Sequence, residues 1–131
     1  MSNLVVSNIS DGITSVGTEY VVNGAAKAWM KVDGTGTAAI DDSFSVSSLS
    51  DNGTGDYTAT FTSAMSNASY AWPTSVKRNS ASGGLHQAEG IDSATDQTSS
   101  SLRINTIYVS STSDRLDIDL LFTATVLGDL A

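Results

Sequence analysis

The side chains of this chain that could do chemistry are mainly aspartates. Asp117 and Asp119 stand two positions apart in a segment of alternating apolar and polar residues. On a strand they would share one face about 7 Å apart, and two such carboxylates could serve glycoside hydrolysis or hold calcium. Arg115 falls on the same face and would offset their charge. The pattern therefore fits a solvated strand face as well as a reactive pair.

The histidine His86 and the acidic turn at residues 51–56 are the other two candidates for chemistry. Serine and aspartate are so abundant that a Ser-His-Asp triad around His86 can be matched by chance, and no nucleophile-elbow pattern lies near it. Residues 51–56 superficially resemble a calcium loop, but they lack the alternating acids and closing glutamate of an EF-hand. Cysteine is absent as well. We therefore predict that the chain is not an enzyme and has no catalytic residue, metal site or cofactor.

Aromatic side chains with polar neighbours are the better candidates for binding. Trp29 lies between Lys27 and Lys31 in an alternating segment, and a strand would place all three on one face. Such a ring can stack on a sugar or anchor a subunit contact, whereas burial inside a two-sided sheet would make it a core residue. We name as candidate surface or glycan contacts Trp29, Tyr70, Trp72 and His86.

Short segments of period-two alternation, separated by glycine-rich turns, dominate the rest of the sequence. The clearest is an Asn-Gly turn at residues 50–56 followed by residues 57–62, in which Tyr57, Ala59 and Phe61 would point inward. We expect further strands at residues 25–32, 37–40, 43–47, 69–77 and 102–109. This pattern predicts an all-β fold, an antiparallel β-sandwich of jelly-roll-like type.

The last strand is predicted over residues 116–127, where apolar side chains alternate from Leu116 to Val126. Leu121 and Leu127 fall on the opposite face of this strand, whose other residues are charged or polar and are expected to face solvent. A second sheet or a neighbouring subunit could cover them, so they are our candidate subunit-interface residues.

Two stretches lack a clean period. Residues 1–23 are apolar without regular spacing, which predicts an extended N-terminal arm docked on another protein, ahead of a body domain at residues 24–131. The alternative is a ragged first pair of strands of the same domain. Residues 79–100 are polar and are expected to form a long loop. The arm's candidate attachment residues are Leu4, Val6, Ile9 and Ile13.

The formal net charge of −8 argues against binding to nucleic acid or to an anionic membrane, since both need a basic surface. No apolar run is long enough to span or insert into a membrane. Residues 1–3 carry no positive charge and lead into no signal-peptide core, so we expect assembly in the cytoplasm.

Several short motifs follow one another between residues 24 and 75. Residues 26–37 read Ala-Lys-Ala-Trp-Met-Lys-Val-Asp-Gly-Thr-Gly-Thr, and residues 51–58 read Asp-Asn-Gly-Thr-Gly-Asp-Tyr-Thr. Val-Ser-Ser at 46–48, Phe-Thr at 61–62, Met65 and Ser-Tyr-Ala at 69–71 complete the series. The series resembles a block common in tail-fibre and other virion proteins of marine and related bacteriophages, with Ser69 where that family usually has asparagine.

The resemblance implies a structural protein of the virion, a β-sandwich and a homotrimer, and it implies no catalytic activity. In long fibres this block follows a shaft, whereas here it begins close to Met1. We therefore expect a short fibre or fibre-tip module that contacts other virion proteins and host surface polysaccharide. The alternative is a capsid decoration, or cement, protein bound to the head shell through residues 1–23.

Overall fold

Alternating apolar and polar residues form strands through most of the described chain. The computed structural model describes residues 4–77, 84–90, 96–110, 112 and 114–131. The predicted all-β, antiparallel sandwich is confirmed. Its elements, in chain order, are β1 (Asn8–Ser10), β2 (Ser15–Gly17), α1 (Thr18–Gly24), β3 (Ala26–Asp33), β4 (Ala39–Phe44), β5 (Val46–Gly53), β6 (Asp56–Phe61), β7 (Thr74–Val76), β8 (Leu85–Glu89), β9 (Ser101–Val109), β10 (Arg115–Asp117) and β11 (Leu121–Leu127).

The first sheet has the strand order β4-β3-β11-β7 and is antiparallel throughout. Ala28, Met30 and Val32 of β3 are buried on its inner face. The register of the two central strands places Val32 opposite Phe122 and Ala28 opposite Val126. A slip of one residue would turn all of these side chains to solvent, so their burial fixes the register.

The second sheet is organised around β9, which has partners along both edges. β6 pairs with residues 101–105 and β10 with residues 107–109, whereas β8 pairs with residues 105–109. Because residue 105 pairs with both β6 and β8, these two strands lie on opposite edges of β9. β10 therefore continues the edge that β6 begins, and β5 pairs with the outer side of β6.

The core lies between the two sheets and is filled by aromatic and aliphatic side chains from both. The Tyr57 ring of the second sheet packs on Phe122 of the first, with 5.4 Å between the ring centroids. Phe61 meets Tyr70 edge to face at 5.7 Å. Such contacts add to the hydrophobic gain of burying the rings, so each pair stabilises the stacking of the sheets.

A single residue carries the chain from the first sheet to the second. Ser45, between β4 and β5, has φ +58°, a left-handed backbone conformation that residues other than glycine rarely adopt. Its carbonyl accepts a hydrogen bond from the Thr62 amide at 2.9 Å, just beyond the end of β6. The hairpin β5–β6 therefore starts directly at the corner.

The structure corrects the prediction of one continuous last strand. The alternation over residues 116–127 divides into β10 in the second sheet and β11 in the first, and residues 118–120 cross between them. The Ile118 amide donates to the Thr106 carbonyl at 3.0 Å, which keeps Ile118 at the second sheet. Leu116 of β10 is consequently exposed instead of continuing the core row.

The long polar loop predicted at residues 79–100 is also corrected, because β8 forms in its middle and pairs with β9. Residues 78–83 and 91–95 of that stretch lie outside the described residues. The strand expected at residues 69–77 is limited to the three residues of β7. Pro73, directly before it, has no amide hydrogen to donate and so limits the ladder on that side.

The N-terminal arm folds as a hairpin followed by a short helix. β1 and β2 pair only with each other among the described strands, and α1 follows at once. The strand pair that we considered as an alternative is therefore present, but it joins neither sheet of the body. Residues 1–3 of the predicted arm lie outside the described residues.

One end of the sandwich is closed by a buried hydroxyl. Tyr57 Oη donates to the Asp119 carboxylate at 2.7 Å and approaches the Gly34 carbonyl at 3.3 Å. The same Asp119 oxygen accepts from the Gly55 amide at 2.7 Å. Burial, followed by the bond to Asp119, raises the pKa of Tyr57. The end of β3, the start of β6 and the start of β11 are thus joined at one point.

Gly55 is required at this closure. Its φ is +67°, and a Cβ atom there would lie 2.5 Å from the Thr106 carbonyl oxygen and 2.8 Å from the Ile118 amide. Both are main-chain atoms that cannot rotate away. A side chain at this position would therefore force β9 and the crossing segment apart.

We expect Tyr57→Phe to lower the free energy of unfolding by about 1–3 kcal/mol, because it leaves the partly buried Asp119 oxygen without one of its donors. Urea denaturation measures this change. Tyr20→Phe is the matched control, since Tyr20 is 70% exposed and the loss of its hydroxyl should change stability by less than about 0.5 kcal/mol. Equal stabilities of the two variants would contradict the role given to the Tyr57 hydroxyl.

Candidate functional site

The outer face of the first sheet carries an exposed aromatic pair. Trp29 on β3 stands directly opposite Phe44 on β4, and the two side chains are 36% and 55% exposed. Cross-strand neighbours on one face have Cβ atoms about 5 Å apart. The two rings therefore form one platform, which we call the aromatic platform. Trp29 shares this face with Lys27 and Lys31, and its side chain lies at the surface and not inside a two-sided sheet.

Charged side chains border the aromatic platform. The register of β3 and β4 shifts beside Lys31, and this bulge brings Asp41 and Asp42 to the same side. Lys31 Nζ lies 2.7 Å from the Asp41 carboxylate, with both side chains largely exposed. The hydrogen bond to Asp41, and then its charge, raise the pKa of Lys31. A donor and an acceptor are thus held side by side next to Trp29.

A shallow groove of about 200 Å³ continues from Lys31 across the sheet. Thr123 lies next to Lys31 on β11, and Ser75 lies next to Thr123 on β7. Lys77 and the half-buried Leu121 form its far wall. The groove has a mostly apolar lining, and Lys31 lies between it and the aromatic platform, so the two adjoin on one face of the sheet.

Phe44 was missed by sequence reasoning. The alternation predicted one strand over residues 43–47, with Phe44 and Val46 on the same side. In the structure Ser45 ends β4 and begins the second sheet, so Phe44 is exposed and Val46 packs against the core. No local signal marks this corner, because serine is an ordinary residue in a strand.

Two of the predicted surface contacts are corrected. Tyr70 is buried, its hydroxyl donates to the Ser101 carbonyl at 2.9 Å, and burial raises its pKa to about 12. His86 is buried on β8, with its ring 5.4 Å from that of Tyr108. Trp72 is half-buried, and its indole nitrogen donates to Gln97 at 3.2 Å. Trp29 is thus the one of the four candidates whose ring is exposed.

The outer face of the second sheet is occupied by its own ion pairs. Arg103 donates to both carboxylate oxygens of Asp56, at 2.9 and 2.5 Å. Arg115 donates to Glu89 at 2.9 and 2.6 Å and lies 3.3 Å from Asp117. The Arg103 hydrogen bond lowers the pKa of Asp56. This face is therefore a fixed polar network that stabilises the sheet.

The carboxylates that raised the question of catalysis are engaged separately. Asp117 pairs with Arg115, whereas Asp119 accepts from the Gly55 amide and the Tyr57 hydroxyl. In the turn at residues 51–56, Asp56 pairs with Arg103, and the Gly53 amide donates to Asp51. Within the described ranges, no three histidine, cysteine, aspartate or glutamate side chains form a group that could hold a metal ion.

The other candidate residues have a range of exposures. Leu121 and Leu127 are half-buried on the outer face of the first sheet, at opposite ends of β11. Leu4, Val6, Ile9 and Ile13 are all exposed. None of the helices in the described ranges is both long and apolar enough to cross a membrane. No protein-family model, characterised protein or solved structure matches the chain.

The Asp56–Arg103 pair predicts a pH dependence of stability. The folded-state pKa of Asp56 is below its unfolded value of about 3.9, so the pair stabilises the fold above about pH 4. This contribution is lost as the pH falls through the folded-state pKa. We expect Asp56→Asn to cost about 1–2 kcal/mol at pH 7 and much less at pH 3. Urea midpoints at both pH values measure the difference.

Asp114→Asn is the control for this experiment, since Asp114 is exposed and its carboxylate accepts from the Thr112 hydroxyl instead of an arginine. It should leave the urea midpoint nearly unchanged at both pH values. A cost of Asp56→Asn that is the same at pH 3 and pH 7 would show that the charge of the carboxylate does not matter.

Proposed function

We propose that the chain is a structural protein of a bacteriophage virion, a short fibre or fibre-tip module that is trimeric and contacts the host surface. It would be assembled in the host cytoplasm and would act as a binding surface without catalysis. Two features support this proposal. The first is the series of phage-like motifs over residues 24–75, and the second is the apolar N-terminal arm.

The N-terminal arm exposes far more apolar surface than the body. Nine large apolar side chains between residues 4 and 22 are exposed, and Leu4 and Ile13 are 85% and 96% exposed. Solvated apolar patches of this kind are typical of surfaces that bind another protein. The arm is the single observation that carries the attachment part of the proposal.

The arm also lacks the structural support to stand alone. Its sheet has two strands of three residues each, and no residue of α1 is buried. An isolated two-stranded hairpin is at best marginally stable in water. Contact with a second protein would bury the apolar side chains and hold the hairpin, as expected of a segment that attaches a module to a particle.

The body offers a rigid support for surface contacts. Both inner sheet faces are used up in the core, and the outer face of the second sheet is held by ion pairs. The aromatic platform and the groove beside it remain open to solvent. A rigid sandwich with one open face suits a module that displays a contact surface away from its point of attachment.

A trimer would bury apolar side chains that are partly exposed in a single chain. Leu121 and Leu127 are half-buried, and we assign them to that contact. We expect sedimentation equilibrium of the purified chain to give the mass of three chains. We also expect a Leu127→Ser variant to shift the mass toward one chain. A wild-type chain that remains monomeric at micromolar concentration would contradict the trimer.

The alternative function is a capsid decoration protein that binds the head shell through the same arm. The two functions differ in copy number, because a decoration protein covers the shell in hundreds of copies and fibres occur in tens. Quantifying the chain against the major shell protein in purified particles separates them. Absence of the chain from particles made by cells that carry its gene would contradict both.

We expect the double variant Leu4→Ser, Ile13→Ser to fold normally but to be lost from particles. Both side chains are exposed, so the free energy of unfolding should change by less than about 0.5 kcal/mol. Removing two side chains that are buried in an attachment contact should weaken the free energy of attachment by roughly 3–6 kcal/mol. The number of chains per particle should therefore fall more than tenfold. Mass spectrometry of purified particles measures that occupancy.

Leu85→Ser is the matched control, because Leu85 is an exposed leucine on the body strand β8. It should be incorporated at the wild-type level. Equal incorporation of the double variant and the control would show that these apolar residues do not attach the chain.

A further inference from the structure

The aromatic platform differs from the other exposed apolar residues of the body. Leu85, Leu116 and Leu130 are exposed on β8, on β10 and near the end of the chain, whereas Trp29 and Phe44 are cross-strand partners on one flat sheet face. Exposed aromatic rings offer π-faces to the C–H groups of a ligand ring. The platform therefore has the shape and chemistry to stack a sugar ring.

The polar groups beside the platform fit the hydroxyl groups of a sugar. Lys31 donates and Asp41 accepts, and the two are held 2.7 Å apart. Neighbouring hydroxyls of a sugar can accept from the one and donate to the other.

The charge of this face selects a neutral ligand. Asp41 pairs with Lys31, and the charge of Lys77 helps to lower the pKa of Asp33 after the hydrogen bonds from Thr35. Lys31 and Lys77 of this face are thus balanced by aspartates, Lys27 donates to the Val22 and Ala25 carbonyls, and the chain as a whole carries −8. A polyanion would meet repulsion from the chain with no compensating basic surface.

We infer that the part of this outer face formed by β3 and β4 is a binding site for a neutral polysaccharide, whose sugar ring stacks on Trp29 and Phe44 while adjacent hydroxyls bind Lys31 and Asp41. The inference rests on the proposed host contact and names its site and ligand class. A subunit contact fits the β3–β4 part less well, because the buried centres of such contacts are depleted of lysine and aspartate. Leu121 and Leu127, which we assign to the trimer contact, lie on the neighbouring strand β11.

Affinity electrophoresis of the full chain tests the site. The native protein is run through gels that contain a neutral polysaccharide, dextran, mannan or galactomannan, or an acidic one, alginate or dextran sulfate. We expect retardation by at least one neutral polysaccharide and by neither acidic one. Trp29→Thr and Phe44→Thr should each weaken binding about tenfold or more, because each removes half of the platform.

Leu116→Thr is the matched control, since it makes a similar change at an exposed strand position of the other sheet and should bind as the wild type does. Threonine suits exposed strand positions, so the variants should keep the wild-type urea midpoint. If one of them unfolds, the other still tests the platform.

Three results would overturn the inference. They are no retardation in any neutral gel, retardation only in the acidic gels, or binding by Trp29→Thr and Phe44→Thr equal to that of the wild type. A lower mass of Trp29→Thr in sedimentation equilibrium would also overturn it, since the platform would then be a subunit contact. None of these results would remove the chain from purified particles. Loss of the sugar-binding inference can therefore be told apart from loss of the proposed virion function, which predicts that the chain is present in particles.

Discussion

The two sheets are fixed relative to one another by the side chain of Tyr57. Its ring lies against Phe122 in the core, and its hydroxyl donates to Asp119 at the end of the sandwich. Phe122 and Asp119 lie at and just before the start of β11, so one side chain sets both the position and the direction of that strand. The central pairing of the first sheet, β3 with β11, depends on this placement. A tyrosine is needed because the position requires an apolar ring with a donor at its tip.

The same constraint decides what each sheet face can do. Once the inner faces are stacked, function is limited to the outer faces, the edges and the N-terminal arm. The second sheet holds its outer face with Arg103 and Arg115, each hydrogen-bonded to a carboxylate. The first sheet has no such network across Trp29, Phe44 and Thr123 in the described structure, so those side chains meet solvent. This contrast between an internally satisfied face and an open one is why we propose the open face as the binding surface.

Sequence periodicity predicted which side chains point inward and failed where the chain changes sheet. Tyr57, Ala59, Phe61, Leu102 and Ile104 alternate along single strands, and all five are buried as expected. Alternation has the same period in either sheet, so it could not reveal that residues 118–120 leave one sheet for the other. The signals for that crossing are long-range hydrogen bonds, from the Gly55 amide to Asp119 and from the Ile118 amide to Thr106. The exposure of Phe44 was missed for the same reason, since the corner at Ser45 depends on tertiary contacts.

The arm and the body divide the work of the proposed module between two kinds of stability. The body has a hydrophobic core formed by its own two sheets, so its fold does not depend on contact with another protein. The arm leaves its apolar side chains exposed, and in the proposed module it would gain stability when a partner covers them. Attachment and ordering of the arm are then one event, and the free energy of covering the apolar side chains must exceed the entropy lost by the hairpin. Because Lys27 hydrogen-bonds the carbonyls of Val22 and Ala25, the end of the arm is tied to the first residues of β3. Docking of the arm would therefore also set the direction in which the aromatic platform on β3 and β4 faces.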